Sequence, residues 1–159
     1  MFLLLPLLLL ACSFDYGIMD EEEEDSISDL VLQNFEYVRV IDKNIQIKMQ
    51  GDRAEKWERA QKMAVERLKF AQYKSDGKTI GASGRAGSAI ILFDSGDIEL
   101  SDGVQLYAQE DDLIIESGQL SWYDDERILL SPDNSWVLMK EQNGTMISGL
   151  GFGADARGH

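Results

Sequence analysis

From residue 29 onward the chain alternates between apolar and polar positions. Residues 44–50, Asn-Ile-Gln-Ile-Lys-Met-Gln, put Ile45, Ile47 and Met49 on one side and polar groups on the other. That period of two is the mark of a half-buried strand. Residues 34–41 are rich in aromatic and β-branched side chains, and Asp42-Lys43-Asn44 predicts the turn between the two runs. Turn signals then recur at Ser75-Asp76-Gly77, Ser95-Gly96-Asp97, Ser101-Asp102-Gly103, Gly118, Pro132-Asp133-Asn134 and Asn143-Gly144. Between them lie short apolar-bearing runs at 89–93, 98–100, 104–108, 113–116, 120–123, 128–130, 136–139 and 145–148. Many short strands at near-regular spacing predict an all-β sandwich, roll or elongated meander.

One segment admits two readings. Residues 52–73 carry Ala54, Trp57, Ala64, Leu68 and Ala71 at helical spacings among strong helix formers, as an amphipathic helix would. The same residues also make two strands meeting near Arg59-Ala60-Gln61, the second with Ala64, Leu68 and Phe70 on one side.

Further along, a unit repeats. Residues 102–125 and 134–157 read as one hairpin written twice at an offset of 32 positions. Val104 falls on Trp136, Leu106 on Leu138, Ile114 on Met146 and Ile115 on Ile147. A chain that repeats a hairpin stacks strand pairs along one axis. Such a stack has a long apolar interior and two open edges.

Composition narrows the function. With 159 residues, the chain has room for one domain of roughly 130 residues and a real core. Its formal net charge of -14 excludes nucleic acid, whose phosphates require a basic footprint, and electrostatic docking on an anionic membrane. Part of that charge is the block from Asp20 to Asp25, which reads as a solvated tether, with a cation-binding tail as the alternative. The one histidine, His159, is the final residue, so no Ser/His or Cys/His pair is expected in a folded site. Glu110-Asp111-Asp112 and Asp124-Asp125-Glu126 lack the alternating spacing of a calcium loop and read as solvated turns. Neither a metal nor a cofactor is expected.

The first twelve residues form an apolar run ending at Leu9-Leu10-Ala11-Cys12, the length of a signal-peptide core and too short to span a bilayer as a helix. The tetrad resembles a bacterial lipobox, in which cleavage before the cysteine leaves a thiol that takes a lipid. It departs from that pattern in having no Lys or Arg before the run and Leu10 at a position where a smaller residue is usual. The reading is a signal peptide over 1–11, lipidation at Cys12 and a tether over 12–29, with an ordinary cleaved signal, an uncleaved anchor or a buried strand as the other possibilities. The expected location is exported and periplasmic, attached to the membrane through that lipid.

A series of strand-and-turn motifs then invites a family comparison. It runs Gly51-Asp-Arg-Ala-Glu55, Leu68-Lys-Phe-Ala-Gln-Tyr73, Asp76-Gly77, Ala86-Gly87 and Leu100-Ser-Asp-Gly-Val104. It continues with Ile115-Glu-Ser-Gly-Gln-Leu-Ser-Trp-Tyr-Asp124, Leu130-Ser-Pro132 and Ile147-Ser-Gly-Leu-Gly-Phe-Gly-Ala-Asp155. In order and spacing, over residues 30–157, the series resembles the lipopolysaccharide-export protein LptC and its periplasmic relatives. The resemblance implies an elongated β-jellyroll folded like a taco around an open apolar trough, two strands within 52–73, and no enzyme activity. It implies a carrier that takes lipopolysaccharide or a similar glycolipid from an inner-membrane ABC transporter and passes it along a periplasmic bridge. The chain departs from LptC of enteric bacteria, which is held by a transmembrane helix, in its lipobox-like Cys12; Ser13 after it leaves the leaflet open.

On this reading Ile45, Ile47, Met49, Val104, Leu106, Ile114, Leu120 and Trp122 line the trough. In any sandwich the same residues would be ordinary core. The edge bearing Phe35, Tyr37, Val38 and Val40 would meet the transporter permeases. The edge bearing Trp136, Leu138, Met146 and Ile147 would meet the bridge protein, itself a β-jellyroll. The competing function is a β-rich surface or periplasmic lipoprotein with a dry core, serving as an adhesin or structural binding module.

Overall fold

The computed structural model describes residues 27–157, and they are all-β. Eight strands run in chain order: β1 (Leu30–Ile41), β2 (Asn44–Trp57), β3 (Lys62–Tyr73), β4 (Ile80–Leu92), β5 (Ile98–Ala108), β6 (Leu113–Tyr123), β7 (Ile128–Glu141) and β8 (Met146–Asp155). Each pairs antiparallel with the next, so one open sheet has the order β1 to β8. This is the elongated β-jellyroll of stacked hairpins that the repeat and the resemblance lead one to expect. The lipobox and the acidic block, residues 9–12 and 20–25, lie outside the described residues.

Local chemistry explains the hairpins. Asp42 and Lys43 both take left-handed conformations, with φ of 50 and 68, so the β1–β2 turn has the twist that matches its strands. In the β3–β4 turn, the Asp76 carboxylate accepts from the amides of Lys78 and Thr79 at 2.9 and 2.8 Å. The disputed segment is two strands, β2 and β3, reversing through 58–61. Helix propensity is worth only tenths of a kcal/mol per residue. Pairing into the sheet buries Ala54, Met63, Val65 and Leu68, which is worth more. Ala64 does not share a side with Leu68: Arg67 between them is left-handed, at φ 51, and breaks the alternation.

That break belongs to a line crossing the whole sheet. Asn34 in β1, Arg67 in β3, Asp102 and Gly103 in β5, and Gly151 in β8 are all left-handed near mid-strand. Along the same line the register slips between Arg85 and Ser88, Ser101 and Val104, Ser117 and Ser121, and Ser131 and Trp136. Bulges and left-handed residues bend strands and change which way side chains point. Strung across successive strands, they crease the sheet into two half-sheets. Ser101-Asp102-Gly103, Gly118 and Pro132-Asp133-Asn134 are therefore not reversals, as their composition suggests, but the crease within β5, β6 and β7.

The core lies along this crease. Flanking it on one side are Phe35, Leu68, Ala86, Val104 and Val137, and on the other Ala54, Val65, Ala89, Leu100 and Leu120. Leu120 is 0 % exposed and Val65 1 %. No helix or second sheet covers this face among the described residues. Burying each large side chain there contributes about 2 kcal/mol.

The repeat is real in β6 and β8 but out of step in β5 and β7. Ile115 and Ile147 share the inner face, because both pair with Met139. Val104 faces inward and buried, whereas Trp136 faces outward and is 60 % exposed. By face, the counterpart of Val104 is Val137, one residue further on, since the wide bulge at 132–135 shifts β7. A one-residue slip turns every side chain to the opposite face.

Candidate functional site

Register sorts the anticipated lining into a floor and a wall. Met49, Val104 and Leu120 lie at the floor beside the crease, buried against Phe35, Leu68 and Leu100. Ile47, Leu106 and Trp122 stand higher on the inner face and are only half-buried; Ile45, also half-buried, lies beyond the register shift between Arg39 and Val40 and pairs with exposed Val40. Leu106 sits between Gly84 and Ile115, and Trp122 between Ile98 and Leu129. The Trp122 indole N–H donates to Asp124 Oδ1 at 3.0 Å, which orients the ring.

Ile114 is a correction. Its cross-strand partners are Tyr107 and Lys140, so it faces the convex side while its neighbour Ile115 faces inward. Leu113-Ile114-Ile115 is continuously apolar, so alternation within it names no face; pairing with β5 decides. The wall also includes Phe70, Ile98, Leu129 and Met139, all half-buried against the core and none anticipated. The alternation Ile98–Leu100 carried the signal for Ile98. Phe70 shares the side of Leu68, as the strand reading of 52–73 has it; the break at Arg67 separates both from Ala64.

Glycine makes room in this wall. A Cβ on Gly84 would fall 2.8 Å from both Phe70 Cε1 and Leu106 Cδ2. Its bare Cα lets two large apolar side chains from neighbouring strands lie side by side.

The inner face carries few charges. Arg39 opposite Ile47, Lys56 opposite Met63, and Glu141 opposite Leu113 are its charged residues away from the floor among the described residues. Lys56 Nζ is held by Glu58 Oε1 at 2.6 Å and lies 5.4 Å from the Phe93 ring centre. Strongly perturbed acids lie elsewhere. The Thr79 hydroxyl and the amides of Lys78 and Thr79 bring Asp76 down to about 2, and Arg157 does the same for Asp155. Both fasten backbone at the ends of elements. Among the described residues no three potential metal ligands stand together.

The edges are β1 and β8, each unpaired on its outer side among the described residues. Val38 and Val40 are exposed on β1, but Phe35 is buried core and Tyr37 is half-buried on the inner face. The alternation of β1 turns these two side chains inward, so they pack in the fold while their backbone stands on the edge strand. On β8, Met146 and Ile147 are 68 % and 54 % exposed. Trp136 and Leu138 lie one strand in, on β7, and Trp136 pairs with exposed Leu150 on the convex face. Large exposed apolar side chains thus gather on the terminal strands.

No protein-family model matches the chain, and no curated protein matches it significantly.

Proposed function

We infer that this chain is a non-enzymatic lipid carrier, which accepts lipopolysaccharide or a similar glycolipid from an inner-membrane ABC transporter and passes it along a periplasmic bridge. It would work outside the cytoplasm, attached through lipid on Cys12. The observation that carries the reading is the wall above the floor. Ile47, Phe70, Leu106, Leu113 and Met139 are apolar, half-buried and on one face of a sheet over which no other element lies among the described residues. Acyl chains need such a surface, and a closed sandwich would have buried it. The two unpaired apolar edges support the bridge, since each can accept a strand from a neighbour and continue the sheet.

Photocrosslinking tests this. A photoreactive residue at Ile47 or Leu106 in living cells should yield a lipid adduct, and one at Glu99, exposed on the convex face of the other half-sheet, should not. A folded protein that yields no lipid adduct from either inner position would sink the carrier and leave the adhesin or structural module.

A further inference from the structure

The convex face of the half-sheet containing Leu106 has chemistry that lipid carriage leaves unused. Lys69 on β3 and Arg85 on β4 are direct cross-strand partners. Their Cβ atoms are therefore about 5 Å apart, and like charges so placed destabilise a sheet. Neither side chain makes a hydrogen bond or ion pair with another described residue. That is unexpected in a chain with 29 acidic residues against 15 basic ones. The acid that senses Arg85, Glu116, is already engaged: it accepts from Lys140 Nζ at 2.8 Å and from Gln105 Nε2 at 2.9 Å.

Lys69 and Arg85 line an open cleft of about 260 Å³. Ser83, Gln105, Tyr107 and Ile114 complete its convex-face lining, with Phe70 and Gly84 between them in β3 and β4. The Tyr107 hydroxyl donates to Asp112 Oδ1 at 2.8 Å, so the ring is held in place as a wall. One end of the cleft is doubly cationic, one side is a fixed aromatic ring beside an aliphatic chain, and the remainder is polar and neutral.

We propose that this cleft binds a phosphorylated saccharide. The phosphate lies between Lys69 and Arg85, whose guanidinium fork can take two of its oxygens. The apolar face of the sugar ring lies on Tyr107 and Ile114, and ring hydroxyls reach Gln105 and Ser83. A phosphate placed there removes the repulsion that the empty sheet retains. Free sugar phosphates and the phosphorylated headgroup of a glycolipid share this chemistry. The site is on the opposite face from the lipid wall, so it stands whether or not the carrier reading does.

The test is thermal melting and calorimetry on the folded protein with glucose 1-phosphate, inorganic phosphate or glucose, at ionic strength matched with sodium chloride. Flotation with phosphatidylcholine vesicles, with and without a phosphorylated glucosyl diacylglycerol, separates the two sources. Glucose 1-phosphate should raise the melting temperature, inorganic phosphate less, and glucose not at all. Lys69→Gln and Arg85→Gln should each weaken binding by about tenfold or more, the loss of one charge-assisted contact. Without ligand, both variants should melt at or above the wild-type temperature, because a repulsion has gone. Capture only by the phosphorylated vesicles, lost in both variants, would assign the site to a headgroup. Binding that survives both substitutions, or no response to glucose 1-phosphate or to the phosphorylated vesicles, would overturn the proposal.

Discussion

Leu106 and Leu120 share the inner face, yet a charge would cost them differently. Leu120 is 0 % exposed at the floor, and an arginine there would be buried without a counter-ion. Such a charge costs about 3–5 kcal/mol, most of the stability of a small domain. Leu106 is half-buried on the wall, where a long cation can run its stem along apolar neighbours and leave its head in water. Leu106→Arg should therefore cost only about 1 kcal/mol, while Leu120→Arg should unfold the domain. Urea denaturation followed by circular dichroism distinguishes them. Equal, complete unfolding of both would show a wall as closed as the floor.

Within the strands, the crease depends on glycine for two different reasons. Gly87 in β4 faces β5 so closely that a Cβ would lie 2.6 Å from Asp102 O and 2.6 Å from its Cβ. Gly103 has no atom within 4 Å of such a Cβ but holds φ at +82. Steric demand governs the first and backbone conformation the second. Gly103→Asn should be tolerated within about 0.5 kcal/mol, since asparagine accepts left-handed conformations. Gly87→Asn should cost about 1–3 kcal/mol, because β4 and β5 must separate to admit any side chain. Denaturation midpoints of the two variants check this, and a Gly87 variant as stable as the Gly103 variant would contradict the close approach.

At the scale of the whole molecule, the sheet of the described residues has two unpaired edge strands, and the C-terminal one can be probed without removing it. Glu141 N–H donates to Thr145 O at 2.9 Å, closing the β7–β8 hairpin. Bonded and unbonded pairs alternate along an antiparallel ladder, so Met146, Ser148 and Leu150 turn their backbone groups away from β7. Ser148→Pro then removes a donor that β7 does not use, a position where an edge strand tolerates proline. The variant should stay folded and yet lose the bridge protein in a pull-down. If it is folded and retains that partner, the partner does not join through the edge of β8.

Some of this was written locally. Strand chemistry, the β1–β2 turn and the inward pair Ile47 and Met49 follow from alternation and turn residues within a few positions, because a strand's period and a turn's backbone needs are local. Residues 52–73 were ambiguous for the same reason: helix and strand templates both fit, and only pairing with β1 and β4 selects strands. Tertiary structure alone decided that Asp102-Gly103, Gly118 and Pro132–Asn134 crease strands instead of ending them, that Ile115 and not Ile114 faces inward, and that Lys69 meets Arg85. Each of these depends on register between strands. A single residue of bulge reverses every side chain beyond it, so the face of a residue belongs to its partner strand as much as to its neighbours in sequence.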